Sequence, residues 1–117
     1  NNYVSAAGLA AAAEAVAIGG KFGIDPNVLV DVLNASTGRN NSTENKLKQF
    51  VIPEKYISGF AMSLMAKDIR TADELAHQIG VNAPLADEVA ALWDAALEKL
   101  GPSADHVEIG RYLTARK

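Results

Sequence analysis

The stretch YVSAAGLAAAAEAVAIGGKF, residues 3–22, contains no proline, and Ser5 and Glu14 are its only strongly polar side chains before Lys21. Alanine, the best helix former, makes up eight of its 20 residues, so it predicts one long helix. At ~1.5 Å per residue that helix would be ~30 Å long, enough to cross a small domain. A helix apolar on every side must be buried all round. It is therefore expected at the centre of the fold, with part of its surface meeting another domain or subunit. Asn1-Asn2 precedes it with no initiator Met, basic leader or polar run, unlike a signal peptide, and it reads as a helix already under way where the sequence starts. Glu14 near its middle argues against a membrane span and is expected to be a buried carboxylate with a hydrogen-bond partner.

Working outward, Gly19, Gly20 and Gly23 punctuate the end of this helix, and Asp25-Pro26 offers an N-cap followed by proline at the first helical position. Val28, Leu29, Val32 and Leu33 give the second helix one apolar face. Residues 36–42 form a polar loop, after which Ser42 or Thr43 can cap a short helix reaching about Phe50, ended by Pro53. The segment Gly59 to Met65 fits either a strand-like alternation or a helix start. Met65, Ile69, Ala72, Ala76 and Ile79 then recur at helical spacing up to Gly80. Pro84 opens another helix with Leu85, Val89, Leu92, Ala96 and Leu100 on one face, closed by Gly101-Pro102. Ser103 can cap a last helix carrying Ile109, Tyr112 and Leu113. The reading is an all-α domain of five to six helices with short connections around the long apolar one.

Composition narrows the function. The 117 residues are 49% apolar and 21% charged, which suits one globular domain. A formal charge of −3 with no basic run excludes a phosphate-neutralising nucleic-acid surface. The absence of cysteine excludes disulfides and thiolate catalysis and is compatible with a reducing compartment, so the cytoplasm is the expected location.

Several chemistries carry little weight. His77 and His106 are far apart in sequence, neither reads as having a ligand-spaced partner on its own helix, and both are expected at the surface or half-buried, so no metal site is expected. Asp73-Glu74 and Asp87-Glu88 read as solvated faces rather than a paired-acid site. Gly19-Gly20 follows no strand and lacks the spacing of a phosphate loop.

Four features gain meaning together: Asn1-Asn2, Ser36-Thr37-Gly38-Arg39, Gly59-Phe60 and Lys67-Asp68. With them the chain resembles, over essentially its whole length, the C-terminal domain of the 3-hydroxyisobutyrate dehydrogenase family of β-hydroxyacid dehydrogenases, related to 6-phosphogluconate dehydrogenase. The family's Lys-x-x-x-Asn motif opens its long helix, and Asn2 matches the Asn, so the catalytic Lys would lie upstream of Asn1. Helical spacing of four puts the two on one face. Phe60 followed by Lys67-Asp68 matches the family's Phe-x6-Lys-Asp signature.

The resemblance implies that Asn2, Phe60 and Asp68 are this domain's share of the substrate site, Asp68 arranging its end of the helix, and that Lys67 contacts the dinucleotide. A Lys near a helix start is unfavourably placed in the helix dipole and would suit an anionic partner. The resemblance further implies NAD or NADP as cofactor, a small hydroxy-acid substrate, an N-terminal Rossmann domain as partner, and a fragment inactive without it. The apolar first helix adds an expected homo-oligomer. Arg39 is expected to shape its loop or a subunit contact. The alternative is a non-catalytic helical dimerisation module, since fold does not determine function.

Overall fold

A computed structural model describes residues 1–115. Six α-helices run in order: α1 (Asn2–Phe22), α2 (Pro26–Asn34), α3 (Asn41–Asn45), α4 (Met62–Gln78), α5 (Pro84–Leu100) and α6 (Ile109–Ala115). A π turn over Leu47–Val51 follows α3, and a 3-10 turn over His106–Glu108 precedes α6. Among the described residues there is no strand, only an isolated antiparallel bridge between Ala61 and Asp105. The all-helical reading therefore holds.

α1 is central, packing against each of the other five helices. Its length and apolar character would suffice to cross a membrane, but here one side of it forms the core. Ala6, Leu9, Ala10 and Ala13 are buried at helical spacing, and Leu9 meets a cluster with Val30, Leu47, Met62, Met65, Ile69 and Trp93. Each such side chain contributes about 1.5–3 kcal/mol of transfer free energy.

The expectation that α1 is buried all round holds on that side only. Val4, Ile18 and Phe22 are 69%, 71% and 84% exposed, because a domain this small has too few helices to surround a rod of 21 residues. Glu14 lies on the open side and is exposed, so water solvates its carboxylate and the expected buried partner is not required. α2 is likewise rotated from its expected face. Val30 is fully buried while Val28 and Val32 are each 55% exposed.

Helix ends follow local chemistry. Gly23, at φ 101°, closes α1 in the left-handed conformation, with Ile24 N–H donating to Gly19 O at 2.8 Å. Asp25 Oδ1 accepts from Asn27 N and Val28 N at 2.8 and 3.2 Å, so the expected cap of α2 forms. Two other caps differ. Asn40, not Ser42 or Thr43, caps α3: its Oδ1 accepts from Thr43 N at 2.9 Å while Thr43 Oγ1 accepts from Asn40 N at 2.9 Å, a reciprocal box with Thr in the usual Glu position. Asp105, not Ser103, caps the last turn, its Oδ1 accepting from Val107 N at 3.0 Å.

The expected helix to Phe50 breaks at Lys46, which leaves helical φ at −122°. Beyond it, Ile52 N–H donates to Leu47 O at 2.8 Å, an i to i+5 bond that inserts an extra residue per turn. The ambiguous segment resolves into an extended piece through Ala61, and α4 begins at Met62.

Gly110 in α6 abuts this π turn, and a Cβ built there would stand 2.5 Å from Val51 Cγ1. Gly110→Ala gains helix propensity, about 1 kcal/mol, but drives a methyl into a β-branched side chain with few alternative rotamers. A net destabilisation of about 1–2 kcal/mol is expected in chemical denaturation, with recovery in the Gly110→Ala/Val51→Ala double variant.

Candidate functional site

The head of α1 and the second turn of α4, 66 residues apart in sequence, meet through one hydrogen bond. Asn2 Nδ2 donates to Asp68 Oδ2 at 2.6 Å, partly shielded from solvent. A carboxylate can only accept, so the bond assigns the amide's nitrogen to Asp68 and turns its oxygen away. That oxygen accepts from Asn1 Nδ2 at 3.3 Å. The geometry holds the Asn2 amide in one rotamer with an acceptor oxygen presented beside the contact. Two of the expected site residues are thereby brought together.

Lys67 adjoins this contact along α4. Its side chain is exposed, and among the described residues no carboxylate lies within ion-pair distance of it. Lys67 does not lie at the helix start expected of it. Since α4 starts at Met62, Lys67 is its sixth residue, in the second turn, where the terminal field has fallen away.

Phe60 sits elsewhere in the network. It is half-buried against the core, and its ring meets His106 edge-on at 5.5 Å and 79°. Its carbonyl accepts from His106 N at 2.9 Å. No described contact joins Phe60 to Asn2 or Asp68. Arg39 pairs with Glu44 at 3.6 Å on the surface, while its neighbour Asn40 donates from Nδ2 to Gly8 O at 3.3 Å, tying the loop to α1.

The surroundings of His106 contain residues that sequence reading passed over. Far from being a surface group, His106 is 3% exposed. Its Nδ1 lies 3.2 Å from Phe60 O, 3.1 Å from Ser58 Oγ and 3.2 Å from Asp105 Oδ1. These acceptors assign the ring proton to Nδ1, leaving Nε2 buried without a partner. Burial, reinforced by the Lys46 charge, lowers the His106 pKa, so the ring is neutral.

Asp105 holds the group together, accepting from Ser58 Oγ at 2.6 Å, Gly59 N at 2.9 Å and Val107 N at 3.0 Å. Burial alone would raise its carboxyl, but these hydrogen bonds outweigh it and hold the pKa below the ordinary 3.8. The network fixes the segment that delivers Phe60 to the start of α4. Its one sequence signal was an Asp placed to cap the 3-10 turn.

The premise used against metal binding also fails. Asp73 and His77 stand at i and i+4 on α4, 3.6 Å apart, and Asp87 of α5 lies 2.7 Å from His77 Nε2. Four-residue spacing on a helix brings side chains together, and the pair was legible as such. Asp73, with a side chain only 20% exposed, is also less solvated than expected.

A separate groove of about 1290 Å³ runs beside the C-terminal half of α1, lined by Val16, Phe22, Val51, Tyr56, Arg111 and Leu113 among others. It starts at Ala13, which by helix rise is ~16 Å from Asn2, so it is not part of the Asn2–Asp68 site.

Comparison with known proteins gives a consistent result. Residues 1–113 match the family profile described as NAD-binding of NADP-dependent 3-hydroxyisobutyrate dehydrogenase. The chain is 32% identical over 85 residues to 2-(hydroxymethyl)glutarate dehydrogenase of Eubacterium barkeri, covering 73% of this chain and 28% of that protein. It is 35% identical over 91 residues to a probable mitochondrial 3-hydroxyisobutyrate dehydrogenase of Arabidopsis thaliana, covering 73% and 26%. In structure it matches the 3-hydroxyisobutyrate dehydrogenase of Mycobacterium tuberculosis with L-serine, at a TM-score of 0.84 and 25% identity over 97% of this chain and 40% of that one. The chain thus spans little more than a quarter of the curated relatives' length.

Proposed function

This chain belongs to the 3-hydroxyisobutyrate dehydrogenase family, and from that premise we propose that it is the helical domain of an NAD(P)-dependent oxidoreductase, with a nucleotide-binding Rossmann domain upstream of Asn1. The family's cofactor is NAD or NADP, which when bound supplies the hydride acceptor for alcohol oxidation. Within this chain the exposed Lys67 ammonium fits the anionic part of such a dinucleotide. Asn2, its amide fixed by Asp68, places an oxygen acceptor toward the substrate. Phe60, anchored on His106, forms an apolar wall. The catalytic Lys, the fifth member of the proposed site, belongs to the upstream chain, so this chain alone is not expected to turn over.

The observation that carries the reading is the Asn2–Asp68 hydrogen bond at 2.6 Å, because it joins two residues 66 positions apart in sequence that the resemblance assigned to one site. For substrate, 3-hydroxyisobutyrate, 2-(hydroxymethyl)glutarate and L-serine, named with the relatives, share one skeleton: a primary alcohol on the carbon next to a substituted α-carbon bearing a carboxylate. A 2-substituted 3-hydroxypropanoate is the proposed class. Self-association through the uncovered face of α1 belongs to the same reading, supported by Val4, Ile18 and Phe22 standing exposed on a central helix. The cytoplasm is the proposed location.

The test is steady-state kinetics on the longer protein containing this chain, with these three acids and both cofactors. Asn2→Ala and Asp68→Ala are each expected to lower kcat/KM for the acid about tenfold, and the double variant no further, because the two act as one positioned unit. Lys67→Ala should instead raise KM for the dinucleotide about tenfold, the loss of one charge-assisted contact. No oxidation of any of these acids, with an intact fold, would favour the helical-module reading. Unchanged constants in the variants would remove the residue assignments.

A further inference from the structure

Across the α4–α5 hairpin, one imidazole nitrogen and two carboxylates converge. The donor atoms of Asp73, His77 and Asp87 all lie within 4.8 Å of one another. We propose that these three residues form a binding site for a divalent transition-metal ion, best suited to Zn²⁺, which clamps the end of α4 to the start of α5. The site is separate from the proposed dehydrogenase chemistry.

Geometry is the first argument. Zinc takes imidazole nitrogen and carboxylate oxygen at about 2.0–2.2 Å, which for tetrahedral angles sets neighbouring donors about 3.3–3.6 Å apart. The separations around His77 Nε2 are 2.7 Å to Asp87 and 3.6 Å to Asp73, below that range and at its upper end, so an ion can be seated by adjustment of these side chains. Asp73 and His77 share a helix face, and Asp87 stands in the first turn of α5, so two of the three donors are spaced by a single helix turn.

Charge is the second argument. Two carboxylates, Asp73 and Asp87, stand against a single imidazole, with Glu74 next to Asp73 in sequence. Such a set is complemented by a dication, whereas the other cross-helix pair on this interface, Arg70 with Asp94, is already neutral. Thirdly, Asp73 Oδ1 is shielded from solvent yet accepts no hydrogen bond. An oxygen stripped of water and left without a donor is costly, and it stands 3.6 Å from His77 Nε2. One nitrogen and two oxygens leave a coordination position for water, a donor set that suits zinc better than the all-oxygen preference of magnesium or calcium.

The chain offers a clean readout. It has no cysteine and two histidines, and His106 is buried with Nδ1 already engaged, so imidazole-anchored binding must report at His77. The experiment adds Zn²⁺ to the chelator-treated protein and follows both imidazoles by NMR, with thermal melts in parallel. The expected result is saturable one-to-one binding with shifts confined to the His77 ring. Tm should rise by about 5 °C at ten times the Kd and return on adding EDTA. His77→Gln, at an exposed position, should abolish the response, and Asp87→Asn should weaken affinity at least about tenfold. Absence of any His77 shift up to about 1 mM Zn²⁺, or a Tm rise retained in both variants, would overturn the proposal.

Discussion

Trp93→Ala is expected to destabilise the fold by about 3–5 kcal/mol, lowering Tm by roughly 15 °C. Trp93 projects from α5 into the core, is fully buried, and touches the cluster built on Leu9, Met65 and Ile69. Its removal would leave a void that rigid helices cannot close, so a cavity penalty adds to the lost transfer free energy. The indole Nε1 has no hydrogen-bond partner, so no bond is lost with it. Trp93→Phe should therefore cost much less, since it retains most of the apolar volume and deletes a donor that the core leaves unpaired. Urea titration followed by circular dichroism separates the two. Comparable losses in Ala and Phe variants would mean that the indole is held by something other than packing.

Asp105→Ala is expected to cost about 3 kcal/mol, from a mechanism unrelated to volume. The carboxylate accepts from Ser58 Oγ, Gly59 N and Val107 N, so its removal uncaps the 3-10 turn and takes away the acceptor of the half-buried Ser58 hydroxyl and of the Gly59 N–H. The effect should depend on pH. The folded-state pKa of Asp105 lies below its ordinary 3.8, so its contribution is complete above that value and is lost as pH falls through the folded pKa. The gap in stability between the parent and Asp105→Ala should be widest near neutrality and narrow below about pH 4. A gap that stays constant across that range would rule out the carboxylate as its source.

The helix boundaries were legible wherever one residue had one use. Asp25-Pro26 and Gly101 can do little except start and stop helices, and α2 begins and α5 ends there. The orientation of α1 was not legible, because in a helix this rich in alanine the burial pattern is decided by which neighbours arrive rather than by where the large residues fall. The π turn was hidden for a different reason: residues 47–51 carry no proline or glycine to mark it, and the additional residue shows in the Leu47–Ile52 backbone bond.

At the candidate site, Asn2 and Lys67-Asp68 could be picked out by spacing, but the bond between Asn2 and Asp68 spans 66 positions and depends on how α1 crosses α4. Ser58 and His106 gave no local signal, since their roles arise from a contact between loops almost fifty residues apart. The Asp73–His77 pair, by contrast, was readable from its spacing and was overlooked.

Because α1 rests partly on α6, and the entry to α4 is stitched to Ala104 and Asp105, α1, synthesised before the other five helices, waits for the most distant of them before its cover is complete. The α4–α5 hairpin can assemble locally and early, whereas these distant closures must come late. During that interval a long, greasy rod is open to the wrong companions, which makes nascent α1 the place where chaperone capture or aggregation would begin.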